Sequence, residues 1–294
     1  LEAARELCGP PFSKRAAKAK DCSIMCGRTG VDLVAALCAP RDDAFLQRAE
    51  AIVARTDVAC SELLEADEWL YGRVGFLRAL LELRQEGHTR GATVPGLDDT
   101  IQRVVAATLA SGRHGDGLRY AWHGKEYVGA AHGYAGILYL LLKAGCRDPA
   151  LRALADWLRD LETREGNWPS SLPATREARL VHFCHGAPGV VFAMAEAHRV
   201  YGDESFRDAC LRGAETVWHF GLLTKGPGLC HGVAGNGDTL LAAYRVSRDP
   251  RWLHRAVVFG TCIGDDAVCA RQRTPDNPYS LFEGLAGSAC FLRD

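Results

Sequence analysis

Two Cys-His-Gly triplets, Cys184-His185-Gly186 and Cys230-His231-Gly232, are the residues best suited to chemistry in this sequence. Soft thiolate sulfur and borderline imidazole nitrogen together suit a tetrahedral d10 ion such as zinc. Cys184, Cys230 and one imidazole would supply three ligands and leave a fourth position open, the pattern of catalytic rather than structural sites. The cysteines stand 46 residues apart, which is no zinc-finger spacing. Two buried cysteines with two helix-capping histidines therefore remain an alternative at the level of the residues alone.

Both triplets sit at one address of a repeat. A Gly-x-x-Gly element opening an apolar stretch occurs six times, starting at Gly27, Gly72, Gly133, Gly186, Gly232 and Gly284, at intervals of 45 to 61 residues. The residue before each first glycine is Cys26, Tyr71, His132, His185, His231 or Glu283. Each element opens a run apolar on most faces, such as Val74 to Leu83 or Gly136 to Leu142, as expected of a buried inner helix. Asp42-Asp43, Asp98-Asp99, Asp148-Pro149, Asp203 and Asp249-Pro250 announce a second helix per unit as N-caps. From Asp148 to Leu161 the apolar positions Leu151, Leu154, Trp157, Leu158 and Leu161 form one stripe, predicting an amphipathic outer helix. The fold class is all-α, and inner helices alternating with outer ones suit an open solenoid or a closed α/α toroid. Glycine favours closure, because inner helices converging on an axis approach closely. A dinucleotide fingerprint is excluded, since it needs a preceding strand and a βαβ context. In a toroid, the residues ahead of each glycine pair would gather at one pole, beside helix N-termini that favour thiolate.

The chain has 294 residues, 35 Lys+Arg against 36 Asp+Glu, and 48% hydrophobic residues, enough to build a core. Near-neutral charge argues against bulk nucleic-acid binding. The longest uncharged run, Tyr127 to Leu142, has 16 residues and includes His132, too short and too polar for a membrane span. No secretion signal or Met-Gly lipidation start is visible at Leu1. The 12 cysteines are expected to be reduced thiols in the cytosol, since a chain with its own core needs no disulfide framework.

His182-Phe-Cys-His-Gly-Ala-Pro-Gly189, Gly228-Leu-Cys-His-Gly-Val-Ala-Gly-Asn236, Ala131-His-Gly-Tyr-Ala-Gly136 and Ser280-Leu-Phe-Glu-Gly-Leu-Ala-Gly287 closely resemble the eukaryotic lanthionine synthetase C-like (LanC-like) family. The similarity covers about residue 22 onward, and the third vertebrate paralogue looks nearest. The resemblance implies a seven-fold α/α toroid with zinc held by Cys184, Cys230 and His231. Six repeats are visible, so the first is expected to be missing upstream of Leu1. The chain is read as a segment 1–21, with Lys14, Arg15, Lys18 and Lys20 clustered, followed by a toroid domain over 22–294 that stops soon after its last motif.

The family also implies a reaction. Glutathione thiolate would add to dehydroalanine or dehydrobutyrine in peptides or proteins, forming a thioether by Michael addition. His132 matches the family's active-site histidine and would protonate the enolate; its bland reading is a helix cap. Glu68 falls where the bacterial cyclases have an acidic residue, a structural carboxylate being the alternative. His185 would tune the site from beside a ligand. Lys225 and the segment Arg273-Thr274-Pro275-Asp276 match glutathione-binding positions, with Arg273 for a carboxylate and Asp276 for the γ-glutamyl ammonium. The expected setting is the cytoplasm or the plasma-membrane periphery, with kinase or signalling partners. A noncatalytic zinc- and glutathione-binding scaffold or signalling adaptor is the alternative. A glycosidase using Glu68 and Glu283 would leave both Cys-His-Gly triplets unexplained.

Overall fold

The computed structural model describes residues 22–174 and 178–294; the expected segment 1–21 lies outside the described residues. They fall into two compact units, one of the described residues up to Gly124 with Lys143–Cys146, the other of Lys125–Leu142 with the described residues from Arg147 to Asp294. The first carries α1 (Arg28–Leu37), α2 (Asp42–Val53), α3 (Thr56–Ala59), α4 (Arg73–Arg90) and α5 (Leu97–Gly112), then the two-residue strands β1 (Arg113–His114) and β2 (Gly117–Leu118). The second carries β3 (Glu126–Tyr127), α6 (Tyr134–Lys143), α7 (Pro149–Asp160), β4 (Ser171–Leu172), α8 (Ala187–Tyr201) and α9 (Glu204–Phe220). It continues with α10 (Val233–Ser247), α11 (Pro250–Ile263), α12 (Asp266–Cys269) and α13 (Leu285–Arg293). Both strand pairs, β1 with β2 and β3 with β4, are antiparallel. No helix among the described residues is long and apolar enough to cross a membrane.

The glycine repeat marks the inner helices. The first glycine of each pair immediately precedes α1, α4, α6, α8, α10 or α13. The middle ones are buried on most faces, as in α6, where Tyr134, Ala135, Gly136, Ile137, Leu138, Leu140, Leu141 and Leu142 are buried, whereas α1 buries only Thr29, Asp32, Leu33 and Ala36 and α13 only Gly287, Ser288 and Phe291. The outer helices bury one stripe. In α7 that stripe is Ala150, Leu151, Leu154, Ala155 and Leu158, while Trp157 is half-buried with its ring edge-on to Tyr134 at 4.8 Å. α8 packs on α9 and α10 on α11, and the inner helices α8, α10 and α13 pack side by side in order.

Aspartate caps the outer helices in part as expected. Asp148, Asp203 and Asp249 accept from the amides of Ala150, Ser205 and Arg251, each at 2.9 Å. Asp42-Asp43 and Asp98-Asp99 instead lie inside the first turns of α2 and α5, behind Arg41 and Gly96 at the caps. There they meet the positive end of the helix dipole without standing at the cap.

The glycines at the N-caps of the inner helices offer no side chain, and α4, α6, α10 and α13 solve the problem with backbone. A helix start leaves amides without intrahelical acceptors. The preceding loop folds back so that its carbonyls take them seven residues on: Arg73 donates to Ala66 at 3.1 Å, Ala135 to Val128 at 3.0 Å, Val233 to Gly226 at 3.2 Å and Leu285 to Pro278 at 2.9 Å. The approach leaves no room for a side chain at the second glycine of each pair. A Cβ there would stand 1.8 Å (Gly235) to 2.2 Å (Gly189, Gly287) from the carbonyl oxygen six residues earlier. Gly75, for example, would place its Cβ 2.1 Å from the Trp69 oxygen, whereas Gly264 has open space around it and a negative φ. Gly75→Ala should therefore cost about 1–3 kcal/mol by overpacking, and Gly264→Ala less than about 0.5 kcal/mol. Urea unfolding of the two variants checks this; equal midpoints would mean that the loop moves aside freely.

Candidate metal centre

The loops ahead of α6, α8, α10 and α13 are joined to one another by backbone hydrogen bonds at matching positions. The Ala130 amide donates to Phe183 at 3.3 Å, Cys184 to Cys230 at 3.3 Å, and Cys230 to Phe282 at 2.7 Å. In the first unit the corresponding bond runs from Met25 to Leu70 at 3.3 Å. Glycines allow the loops to lie this close: a Cβ on Gly129 would fall 2.1 Å from the Cys184 oxygen, and one on Gly228 2.3 Å from the Glu283 carbonyl carbon. Within the second unit, side chains one and two places before a glycine pair are thereby set near their counterparts in the next repeat, as Cys184 is to Cys230.

The loop carrying Cys184 is braced further. Buried Asn167 donates to the Ala178 and Leu180 carbonyls at 2.6 and 3.1 Å and accepts the first amide of α8, from Ala187, at 2.7 Å. Asn236, on α10 and also buried, donates to the Val181 carbonyl at 3.0 Å. His182 and His185 close the turn with reciprocal backbone bonds of 2.9 and 3.1 Å.

These constraints bring Cys184, Cys230 and His231 together, with their donor atoms all within 4.8 Å of one another and each residue partly buried. The thiols interact as a pair. A hydrogen bond from the Cys230 thiol, joined by the His182 and His231 rings, holds the Cys184 thiol well below the ordinary range against the opposing effect of burial. Cys230 is pushed up correspondingly by Cys184 and by burial; Glu283 adds to that rise and Lys225 opposes it. The helix N-termini expected to favour thiolate are occupied by loop carbonyls: Val233, Ala234 and Gly235 donate to Gly226, Pro227 and Gly228.

His185 and His132 flank one aromatic ring. Tyr127 lies 5.8 Å from His132 and 5.6 Å from His185 between ring centroids, and Lys125 Nζ stands 5.2 Å from the Tyr127 centroid. Burial pushes the His185 pKa down, and its Nδ1 is buried with no hydrogen-bond partner. Tyr127, Lys125, His182, Asn167 and the bracing glycines were not singled out as site residues from sequence; the Gly-x-x-Gly register identifies the loops but not what crosses between them.

Lys225 and the segment Arg273–Asp276 adjoin. The Arg273 amide donates to the Thr224 carbonyl at 2.7 Å, and Gly226, at φ 133°, faces Pro275 Cγ, 2.9 Å from where a Cβ would be. Lys225, Arg273, Thr274 and Asp276 are exposed and Pro275 is half-buried. Arg273 Nη2 and Asp276 pair with each other at 3.0 Å. Glu68, in the first unit, is buried, and its carboxylate accepts the amides of Leu70 at 3.1 Å and Tyr71 at 2.5 Å. Ser23 does the same for Met25 and Cys26 in its own repeat, and Ser280 for Glu283. Glu68 thus has the loop-bracing part its position has elsewhere.

Residues 8–294 match the family model for lanthionine synthetase C-like proteins. Glutathione S-transferase LANCL1 of Danio rerio is 37% identical over 244 residues, covering 78% of this chain and 58% of that protein. LanC-like protein GCL1 of Arabidopsis thaliana is 38% identical over 240 residues, covering 76% of this chain and 54% of its own length. The chain thus spans a little over half the length of these relatives. Among solved structures, nisin cyclase aligns with a TM-score of 0.57 at 15% identity, covering 99% of this chain and 92% of that one. That likeness shows the fold class to be the all-α, α/α toroid expected from the repeat. By its motifs, its family-model match and its relatives, the chain belongs to the lanthionine synthetase C-like family.

Proposed function

We propose that the protein binds zinc through Cys184, Cys230 and His231 and adds glutathione thiolate to dehydroalanine or dehydrobutyrine residues of peptides or proteins. The observation that carries this is the convergence of two sulfurs and an imidazole on loops already fixed by backbone bonds. The donor set fits: two thiols that compete for one proton are relieved when a divalent cation replaces it, and three ligands leave a position for a further thiolate. Zinc bound there would lower the pKa of an incoming thiol while leaving its sulfur nucleophilic.

The remaining work falls to the chain's own residues. Lys225 offers a cation to a glutathione carboxylate next to Cys230, and Arg273 and Asp276 exchange their mutual pair for the carboxylate and ammonium of the γ-glutamyl group. In the addition the glutathione sulfur bonds to the β-carbon of the dehydroamino acid. The alkene electrons move onto the carbonyl as an enolate, and His132 delivers a proton to the α-carbon. Tyr127 keeps the His132 ring in place, and His185, with its pKa lowered by burial, adds no positive charge near the thiolate. The expected setting is the cytoplasm or the plasma-membrane periphery. A scaffold that binds zinc and glutathione without turnover is the second reading, favoured by the exposure of Lys225 and by the Arg273–Asp276 pair.

About one zinc per chain is expected, and Cys184→Ala or Cys230→Ala should lose most of it. Elemental analysis checks this, and equal zinc in variants and parent would refute the ligand assignment. His132→Asn should keep zinc and glutathione binding while turnover of a dehydroalanine peptide falls ~10²–10⁴-fold, read by mass spectrometry with the uncatalysed addition subtracted. If the variant reacts at the parent rate, His132 is a helix cap only. If the zinc-loaded parent shows no rate above background, the scaffold reading replaces the enzyme.

A further inference from the structure

Half-buried arginines in this chain are elsewhere matched by carboxylates. Arg212 donates to Glu162 through Nε and Nη2 at 2.8 and 2.7 Å, and Arg255 to Glu215 through both Nη atoms at 2.5 and 2.9 Å. Arg152 divides its donors between Asp156 and Asp203. A cluster in the first unit departs from this. Asp32, on α1, is 1% exposed and takes three guanidiniums: Arg28 Nε at 3.1 Å, Arg48 Nη1 at 3.2 Å and Arg55 Nη2 at 2.5 Å. Among the described residues no other carboxylate pairs with any of the three. Each reaches Asp32 through one nitrogen, so two nitrogens of each guanidinium have no protein acceptor among the described residues, and Arg55 Nη1 is one that is buried.

The three arginines come from separate elements. Arg28 opens α1, Arg48 lies on α2, which packs on α1, and Arg55 precedes α3. Backbone bonds hold Arg55 on both sides: its amide donates to Ile52 at 2.9 Å, and its carbonyl accepts from Val58 and Ala59 at 3.0 and 3.1 Å. Burial alone would raise the Asp32 pKa, but the hydrogen bonds from Arg28 and Arg55 keep it below the usual carboxylate range. Asp32 is therefore ionised, and three positive charges against one negative leave a surplus of two. Like charges gathered around one carboxylate repel, more strongly where water is partly excluded. The Arg28, Arg48 and Arg55 side chains are 19%, 38% and 21% exposed, so a ligand can reach them while Asp32 stays enclosed.

We propose that Arg28, Arg48 and Arg55, gathered by Asp32, form a binding site for a phosphate monoester dianion. A phosphate monoester carries about −1.5 to −2 at neutral pH and three acceptor oxygens, which matches the surplus charge. A carboxylate or a phosphodiester, each with one negative charge, would leave the cluster cationic. Planar guanidinium forks suit phosphate oxygens, and unused N–H donors on three separate side chains allow contacts from more than one direction. Asp32 orders the arginines before the ligand arrives, so less side-chain freedom is lost on binding. The site shares no residue with the candidate metal centre, and its ligand needs no zinc. Free phosphate and a phosphorylated serine side chain share this chemistry, and calorimetry separates them.

Inorganic phosphate and a phosphoserine peptide are titrated separately into the full chain at fixed ionic strength, with the unphosphorylated peptide as the blank. The parent should bind phosphate at a single site. Arg48→Gln removes the most exposed of the three guanidiniums and should weaken binding on the order of tenfold or more, as expected for loss of a hydrogen bond to a charged group. Arg48→Lys keeps the charge without the fork and should lie between the two. Arg212→Gln, which removes a guanidinium already paired, should bind as the parent does. Tighter binding of the phosphopeptide than of free phosphate identifies a modified side chain as the ligand, and binding no tighter identifies free phosphate. A parent that binds neither probe overturns the proposal, as does Arg48→Gln binding as tightly as the parent or an equal loss in Arg212→Gln. A second measurement needs no variant: phosphate added to the parent should shift the guanidinium Nε–H resonances of Arg28, Arg48 and Arg55 in NMR spectra. Resonances that stay in place overturn the proposal.

Discussion

The close return of each loop onto the first turn of its inner helix is the contact on which the remainder of the structure depends. It answers a general difficulty, the unsatisfied amides at a helix start, with carbonyls rather than side chains. Because the loop carbonyl six residues back meets the second glycine and the one seven back accepts a helix amide, the register of loop against helix is fixed to the residue. A shift of one place would put a Cβ against a carbonyl oxygen. The glycine pair is thus a consequence of backbone meeting backbone at close range, and the approach of a loop carbonyl to the second glycine recurs six times.

The same contact builds the centre. Loops held in identical register can bond to each other at identical positions, and they do so from Ala130 to Phe183, Cys184 to Cys230 and Cys230 to Phe282. Residues separated by 46 places in sequence therefore become neighbours without any long side chain having to reach. Around Cys184 the bracing is denser than elsewhere, with Asn167 standing in for the loop carbonyl that caps the other helices. Gly186, at φ 101°, departs there from the extended cap conformation of Gly72 and Gly232, which explains why the usual carbonyl is replaced by a side chain.

Much of this was legible in sequence because it repeats. The Gly-x-x-Gly register located every inner helix start, and the Cys-His-Gly triplets placed the three donors at one address. What repetition does not encode was read less well. Asp42 and Asp98 resemble Asp148 and Asp203 in sequence, yet they lie inside the first helical turn behind Arg41 and Gly96, while Asp148 and Asp203 stand at the cap. Glu68 falls where the bacterial cyclases have an acidic residue, with a structural carboxylate as the alternative; its two oxygens accept amides of its own loop, a contact that sequence does not mark. Arg273 and Asp276 were assigned to opposite ends of one ligand; three residues apart on a surface turn, they pair with each other in its absence. His182 and Asn167 act across loops, and nothing in a linear pattern marks such a crossing.

The order of dependence between fold and metal follows from where the hydrogen bonds lie. In small zinc domains the ligands have no other reason to meet, so metal binding and folding are one event. Here the donors sit on loops whose mutual bonds are backbone to backbone, within units whose inner helices already bury Leu138, Val190 and Leu240 completely. The two sulfurs lie close together, and the hydrogen bond from Cys230 holds the Cys184 thiol below its ordinary range. A cation held by Cys184, Cys230 and His231 would find its ligands already brought together, so its binding free energy would not be consumed in ordering the chain. Such a centre can leave one coordination position open to a passing thiol, because the metal is not needed to hold the loops together.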